Sequence, residues 1–198
     1  MEHLASVVLF LLIIALLLTA IPAGAIKKRA QVLRILIVLL ALSYYGYFFT
    51  ERSLPPFKKE ALSMQLINKL PQTVDFYIIL VSEKSDPSER FEVIHPGKVR
   101  PEHYRLEYLQ REGWEQYWIV GYLGKRNLVY FSQHAVVNKN IDQILEISTF
   151  MNQSLRLSER STQLIEERRS EYRRQSVTIT LGLLLLFLNT IHLLRRRK

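Results

Sequence analysis

LASVVLFLLIIALLLTAIPAGAI, residues Leu4–Ile26, carries no charged side chain, and its reading decides the fold class. A bilayer core about 30 Å thick is crossed by roughly 20 apolar residues in a helix, at about 1.5 Å of rise per residue. Two further stretches meet the same requirement. Ala30–Phe49 holds one charge, Arg34, and Ser176–Leu194 is Leu-rich and runs into Arg195-Arg196-Arg197-Lys198. The expected fold is therefore a membrane protein with three transmembrane α-helices and a small α+β soluble domain between the second and third. An N-terminal helical hairpin (1–50, spans 4–26 and 30–49) precedes an extracytoplasmic α+β domain (51–139). A long juxtamembrane helix (140–175) and a C-terminal span with a basic tail (176–198) follow.

The formal charge of +9 invites a polyanion partner, so its placement matters. Lys27, Lys28, Arg29, Arg34 and the terminal Arg195, Arg196, Arg197 and Lys198 lie at membrane edges. Removing those eight from 27 basic residues, and Glu2 from 18 acidic ones, leaves 19 and 17 in the middle, a net of +2. The excess is a topogenic and interfacial signal, and no nucleic-acid partner is expected. The chain has no cysteine, which excludes disulfides, thiolate metal sites and cysteine nucleophiles.

Basic residues in short loops stay on the cytoplasmic side. Lys27-Lys28-Arg29, read as the turn of the first hairpin, puts that turn in the cytoplasm and the middle domain outside, or in the periplasm. The C-terminus returns to the cytoplasm, giving a multi-pass protein of the cell (inner) membrane. Arg34 is expected to extend its head back to the cytoplasmic interface. Tyr44, Tyr45, Tyr47, Phe48 and Phe49 read as an aromatic belt at the outer one. Asn189 is positioned to hydrogen-bond a neighbouring helix. A rival reading cleaves residues 1–25 as a signal peptide at Ala23-Gly24-Ala25. The acidic Glu2, the length of the apolar run and the basic residues that follow weigh against it.

Within the middle, Phe57–Leu70 is expected as an amphipathic helix after Pro55-Pro56, from Leu62, Leu66 and Leu70. Val74–Val81 is the clearest strand, apolar on both faces and hence covered on both. Ser85-Asp86-Pro87 marks a turn, and Phe91–His95 is a second strand closed by Pro96-Gly97. Glu102–Glu112 is expected as a helix opened by Pro101 and ended by Gly113. Gln116–Leu123 and Asn127–Ser132 form a hairpin across Gly124-Lys125-Arg126. Asn140 with Gln143 suggests a capping box for a helix that runs to Gln175, a stalk of about 50 Å.

Chemistry-bearing residues are sparse. His95, His103 and Glu102 are the one acid/base set that a membrane enzyme acting on a lipid or envelope substrate would use, and they match no metal-ligand spacing. Pro96-Gly97-Lys98 lacks the glycine spacing and hydroxyl of a phosphate loop. No cofactor is expected. Aromatics concentrate around the hairpin, and Trp114, Trp118 and Tyr122 with the basic tip Lys125 and Arg126 form the candidate interaction surface. The expected function is non-enzymatic: a domain presented for protein–protein interaction, or as a subunit of a membrane complex. Its partners are the lipid bilayer and other membrane or envelope proteins. The alternative is an extracytoplasmic ligand sensor, against which the short basic tail argues.

Overall fold

The computed structural model describes residues 2–20, 25–53, 61–82, 90–110, 113–135 and 141–195. The chain forms two compact units, one of Met1–Pro55 with Ser170–Lys198 and one of Pro56–Arg169.

The first unit is helical. Helix α1 (Glu2–Leu17) continues as a 3-10 turn (Leu18–Ala20), α2 covers Ala25–Ser53, and α3 covers Leu155–Arg195. Two helices, α2 and α3, are long and apolar enough to cross a membrane, whereas Leu4–Ala20 is a shorter apolar helix. Helical spacing selects the packed stripe: Val8, Leu12 and Ala15 on α1, Val38, Ala41, Tyr45 and Phe48 on α2, Ile179 and Leu186 on α3. Phe10, Leu36 and Phe187 point outward, so residues 4–20, 30–49 and 176–194 of these helices carry apolar side chains on the outer face as well. A helix with no polar face suits an apolar solvent.

Two expectations are corrected here. Lys27, Lys28 and Arg29 do not form a turn; they lie in the first turns of α2. Arg34 does not reach outward. Its side chain is buried, 1% exposed, with Nη2 donating to the main-chain oxygen of Asn189 at 3.4 Å. Arg195 is the last residue of α3, while Arg196, Arg197, Lys198 and the cleavage motif at Ala23-Gly24 lie outside the described residues.

The second unit is a mixed β domain. Its strands are β1 (Ala61–Asn68), β2 (Val74–Val81), β3 (Phe91–Val99), β4 (His103–Gln110), β5 (Gln116–Leu123), β6 (Asn127–Ala135), β7 (Gln143–Ile147) and β8 (Met151–Asn152). A three-stranded sheet has the order β4-β1-β7 and a five-stranded sheet the order β3-β2-β5-β6-β8. Pairing is antiparallel except for β1–β7 and β6–β8.

Alternation sets three layers. Leu62, Met64 and Leu66 of β1 meet Val74, Phe76, Ile78 and Leu80 of β2 and Ile119 of β5 in the core between the sheets. The other face of β2 and β5 supplies Tyr77, Ile79, Trp118, Val120 and Tyr122, which pack on Leu157, Leu164 and Ile165 of α3. Strand β2 is thus covered on both faces, as its composition requires. The β5–β6 hairpin turns at Gly124, whose φ of 70° is the left-handed region glycine enters without penalty.

The expected helices Phe57–Leu70 and Glu102–Glu112 are instead strands β1 and β4, in so far as those residues are described. Leu62, Met64 and Leu66 alternate at a period of two, and burying that row between sheets outweighs the three-to-four spacing of Leu62, Leu66 and Leu70. Pro96-Gly97 does not close β3 but lies within it, beside a register shift opposite Phe76–Ile78. The segment expected to begin the long helix forms β7 and β8, and α3 starts only at Leu155. Ser154 caps that start, its Oγ accepting from the Leu157 N–H at 3.4 Å. Asn140 of the expected capping box and the turn at Ser85-Asp86-Pro87 lie outside the described residues.

Candidate interaction surface

The outer face of the three-stranded sheet has an unusual composition for an outermost layer, where alternation ordinarily places polar side chains. Register aligns Tyr104 with Ile67 and Glu146, Leu106 with Gln65 and Ile144, and Tyr108 with Ser63. Tyr104 is 64% exposed, Leu106 42%, Tyr108 52% and Ile144 66%. Ile67 is half-buried between them. One end of this patch is polar: Lys69 Nζ pairs with Glu102 Oε2 at 2.6 Å, with Glu146 close enough to add to the field at the amine. Apolar and tyrosine contacts at the centre with a charged margin is the anatomy of a protein interface.

A second cluster ties α3 to the five-stranded sheet. His95 Nε2 lies 2.8 Å from Asp75 Oδ1, and the His95 ring stacks on Tyr77 at 4.2 Å between centroids. Arg169 donates through Nε to the Tyr77 hydroxyl at 2.9 Å and through Nη1 to the Lys125 carbonyl at 3.1 Å. Its guanidinium lies over Tyr77 and Tyr122, at 4.9 and 5.4 Å from the ring centroids. Burial raises the Tyr77 phenol, against the opposing pull of Arg169, and likewise raises Tyr122, which the Thr162 hydroxyl and Arg169 oppose. Both phenols stay protonated. The cluster joins sheet, hairpin turn and helix through neutral hydroxyls, the Arg169 cation and the Asp75 carboxylate, like a clasp.

The candidate acid/base residues are each held by a local partner. His103 Nδ1 lies 2.8 Å from the Pro101 carbonyl, Glu102 holds Lys69 and His95 holds Asp75, so the structure does not bring the three candidate acid/base residues together. Ser132 Oγ and His134 Nε2 are 2.8 Å apart, but Ser132 is fully buried, which closes it to a substrate. Burial lowers the His134 pKa. Among the described residues no group of three His, Asp or Glu side chains is placed to hold a metal ion.

The expected surface around the hairpin is corrected. Trp114, Trp118 and Tyr122 are 3%, 5% and 2% exposed and belong to the core, leaving only Lys125 and Arg126 at the exposed tip. The sheet face on β1, β4 and β7 replaces it. That face is hidden in the sequence because the local spacing suggests helices for β1 and β4 and the start of one for β7, although Tyr104, Leu106 and Tyr108 carry a period of two. Comparison of the chain with family models, with curated proteins and with solved structures finds no match.

Proposed function

We propose that this chain is a non-enzymatic integral membrane protein that crosses the bilayer three times and presents its β domain outside the cytoplasm. There the domain docks another membrane or envelope protein. The carrying observation is the row of exposed Tyr104, Leu106, Tyr108 and Ile144, with half-buried Ile67 between them, on the outermost sheet. Five side chains are far fewer than the roughly 20–30 residues a side of a free-standing complex. A patch this small binds usefully when both partners are confined to one membrane, since confinement raises the effective concentration. The two long apolar helices support that confinement. The outward orientation rests on Lys27, Lys28 and Arg29, which remain beside the first helical connection although they now lie inside α2.

The test is site-specific photocrosslinking in native membranes. A photoreactive side chain at Leu106 or Tyr108 is expected to give a discrete adduct that the same group at Gln153, on the β8 side, does not give. Identical patterns from all three positions, or monomer alone, would contradict the reading.

A further inference from the structure

We infer that the free edge of β7 is a strand-addition site, and that the partner it fits is an extended cationic segment with Lys or Arg on both sides of one apolar residue at two-residue spacing. The inference rests on the docking role proposed above and names the chemistry of the partner. Strand β7 lies at the end of its sheet, and among the described residues no strand covers its other side. The Lys69 N–H donates to the Ile147 carbonyl at 2.8 Å, which turns the backbone polar groups of Ile147, Leu145 and Gln143 toward β1. Successive residues of a strand direct their N–H and C=O to opposite edges. The backbone groups of Ile144 and Glu146 therefore face outward, ready to pair with an added strand.

The side chains say what that strand carries. Asp142, Ile144 and Glu146 share the outer face at positions two apart, and all three are exposed. Among the described residues Asp142, one position before β7, accepts a long 3.4 Å bond from the Ser63 N–H. The nearby Lys69 amine is already held by Glu102. The open edge thus reads acid, isoleucine, acid. Directly opposed residues on paired strands interact, with opposite charges favourable and like charges unfavourable. A strand with a cation, an apolar residue and a cation at matching positions places each cation against an acid. Its apolar side chain then lies beside Ile144 and continues the Leu106–Gln65–Ile144 row. Neither the backbone edge nor the charge pattern alone selects this partner; together they specify an extended cationic chain.

The experiment uses the full chain in detergent micelles and a fluorescently labelled synthetic peptide, acetyl-Thr-Arg-Thr-Val-Thr-Arg-Thr-amide, with a counterpart carrying Glu in place of both Arg. The expected result is saturable binding of the cationic peptide at concentrations up to about 1 mM and none of the acidic one. Ile144→Pro removes an N–H that faces the open edge and spares the β1–β7 ladder, so it should weaken binding about tenfold. Paired Asp142→Lys and Glu146→Lys substitutions on the surface should reverse the preference to the acidic peptide, a result that misfolding would not produce. Equal binding of both peptides, no saturable binding, or an unchanged preference in the charge-reversed chain would overturn the inference. So would a dimer that Ile144→Pro dissociates, since a second copy would then occupy the edge. Failure here with the Leu106 crosslink retained removes strand addition alone. Loss of the crosslink with peptide binding retained removes the membrane partner alone.

Discussion

The side chain of Asn189 on α3 donates through Nδ2 to the main-chain oxygen of Leu12 on α1 at 3.0 Å. The same Nδ2 reaches the Leu185 carbonyl at 3.0 Å, and the buried Arg34 of α2 donates to Asn189's own main-chain oxygen. One polar node therefore joins the three helices of the apolar unit, where packing stripes alone leave rotation about each axis weakly specified. Interhelical hydrogen bonds in such surroundings contribute roughly 0.6 to under 2 kcal/mol. Asn189→Leu is expected to destabilise the full chain in detergent by an amount in that range, read as a lower thermal midpoint. A midpoint equal to or above the parent's would show that the bond adds nothing to the packing.

Close approach of α2 and α3 depends on Gly182, because a Cβ there would overlap the hydroxyl and ring carbon of Tyr45. Gly182→Ala should destabilise the helical unit by about 1–3 kcal/mol through overpacking. Tyr45→Phe removes the hydroxyl and should restore part of the loss in the double variant, though not all, since the ring carbon remains close. Strictly additive effects in that cycle would place the two residues apart.

His134 sets a pH dependence. Burial lowers its pKa from 6.5, so below that value the unfolded chain binds a proton that the folded chain resists. Its contribution is intact above pH 6.5 and is lost as pH falls through the lower folded value. Glu107 acts in the opposite sense at more acidic pH: burial raises its carboxyl above 4.5, so in that window folding takes up a proton. The difference between parent and His134→Gln isolates the histidine. Urea midpoints should diverge below pH 6.5, with the parent losing more; parallel profiles would remove the effect.

Glu102 adopts φ of 60° at the third position of the turn Arg100-Pro101-Glu102-His103, closed by the His103 N–H to the Arg100 carbonyl at 3.2 Å. That position of a turn with proline before it favours glycine. Glu102→Gly is expected to stabilise the β domain by up to about 1 kcal/mol, and Glu102→Val to destabilise it. Thermal melts of the two variants check the order, and a lower midpoint for the glycine form would contradict it.

The apolar helices were legible from length and charge, and β2, β5 and β6 from alternation, because each of those signals is local. Strand β1 is different. Its partners lie far along the chain, with Met64 opposite Glu107 on one side and Gln143 on the other, so nothing within a short window records them. Strand β4 was obscured because Tyr104, Leu106 and Tyr108 place apolar groups on the outer face, where solvent-facing polar residues would have exposed the period. The clasp had one visible trace, a lone carboxylate in the apolar run Val74–Val81. Asp75 is buried to 12% side-chain exposure, and such a group needs partners, which proved to be His95 and Arg169.

The absence of cysteine allows the presentation of the β domain outside the cytoplasm to be measured directly. A single cysteine at Gln153, or separately at Gln133, both exposed and away from the proposed docking face, is reacted with a membrane-impermeant maleimide before and after permeabilisation. Full labelling of intact cells at both positions is the predicted result. Labelling that begins only once the membrane is opened would place the domain in the cytoplasm and contradict the proposed presentation.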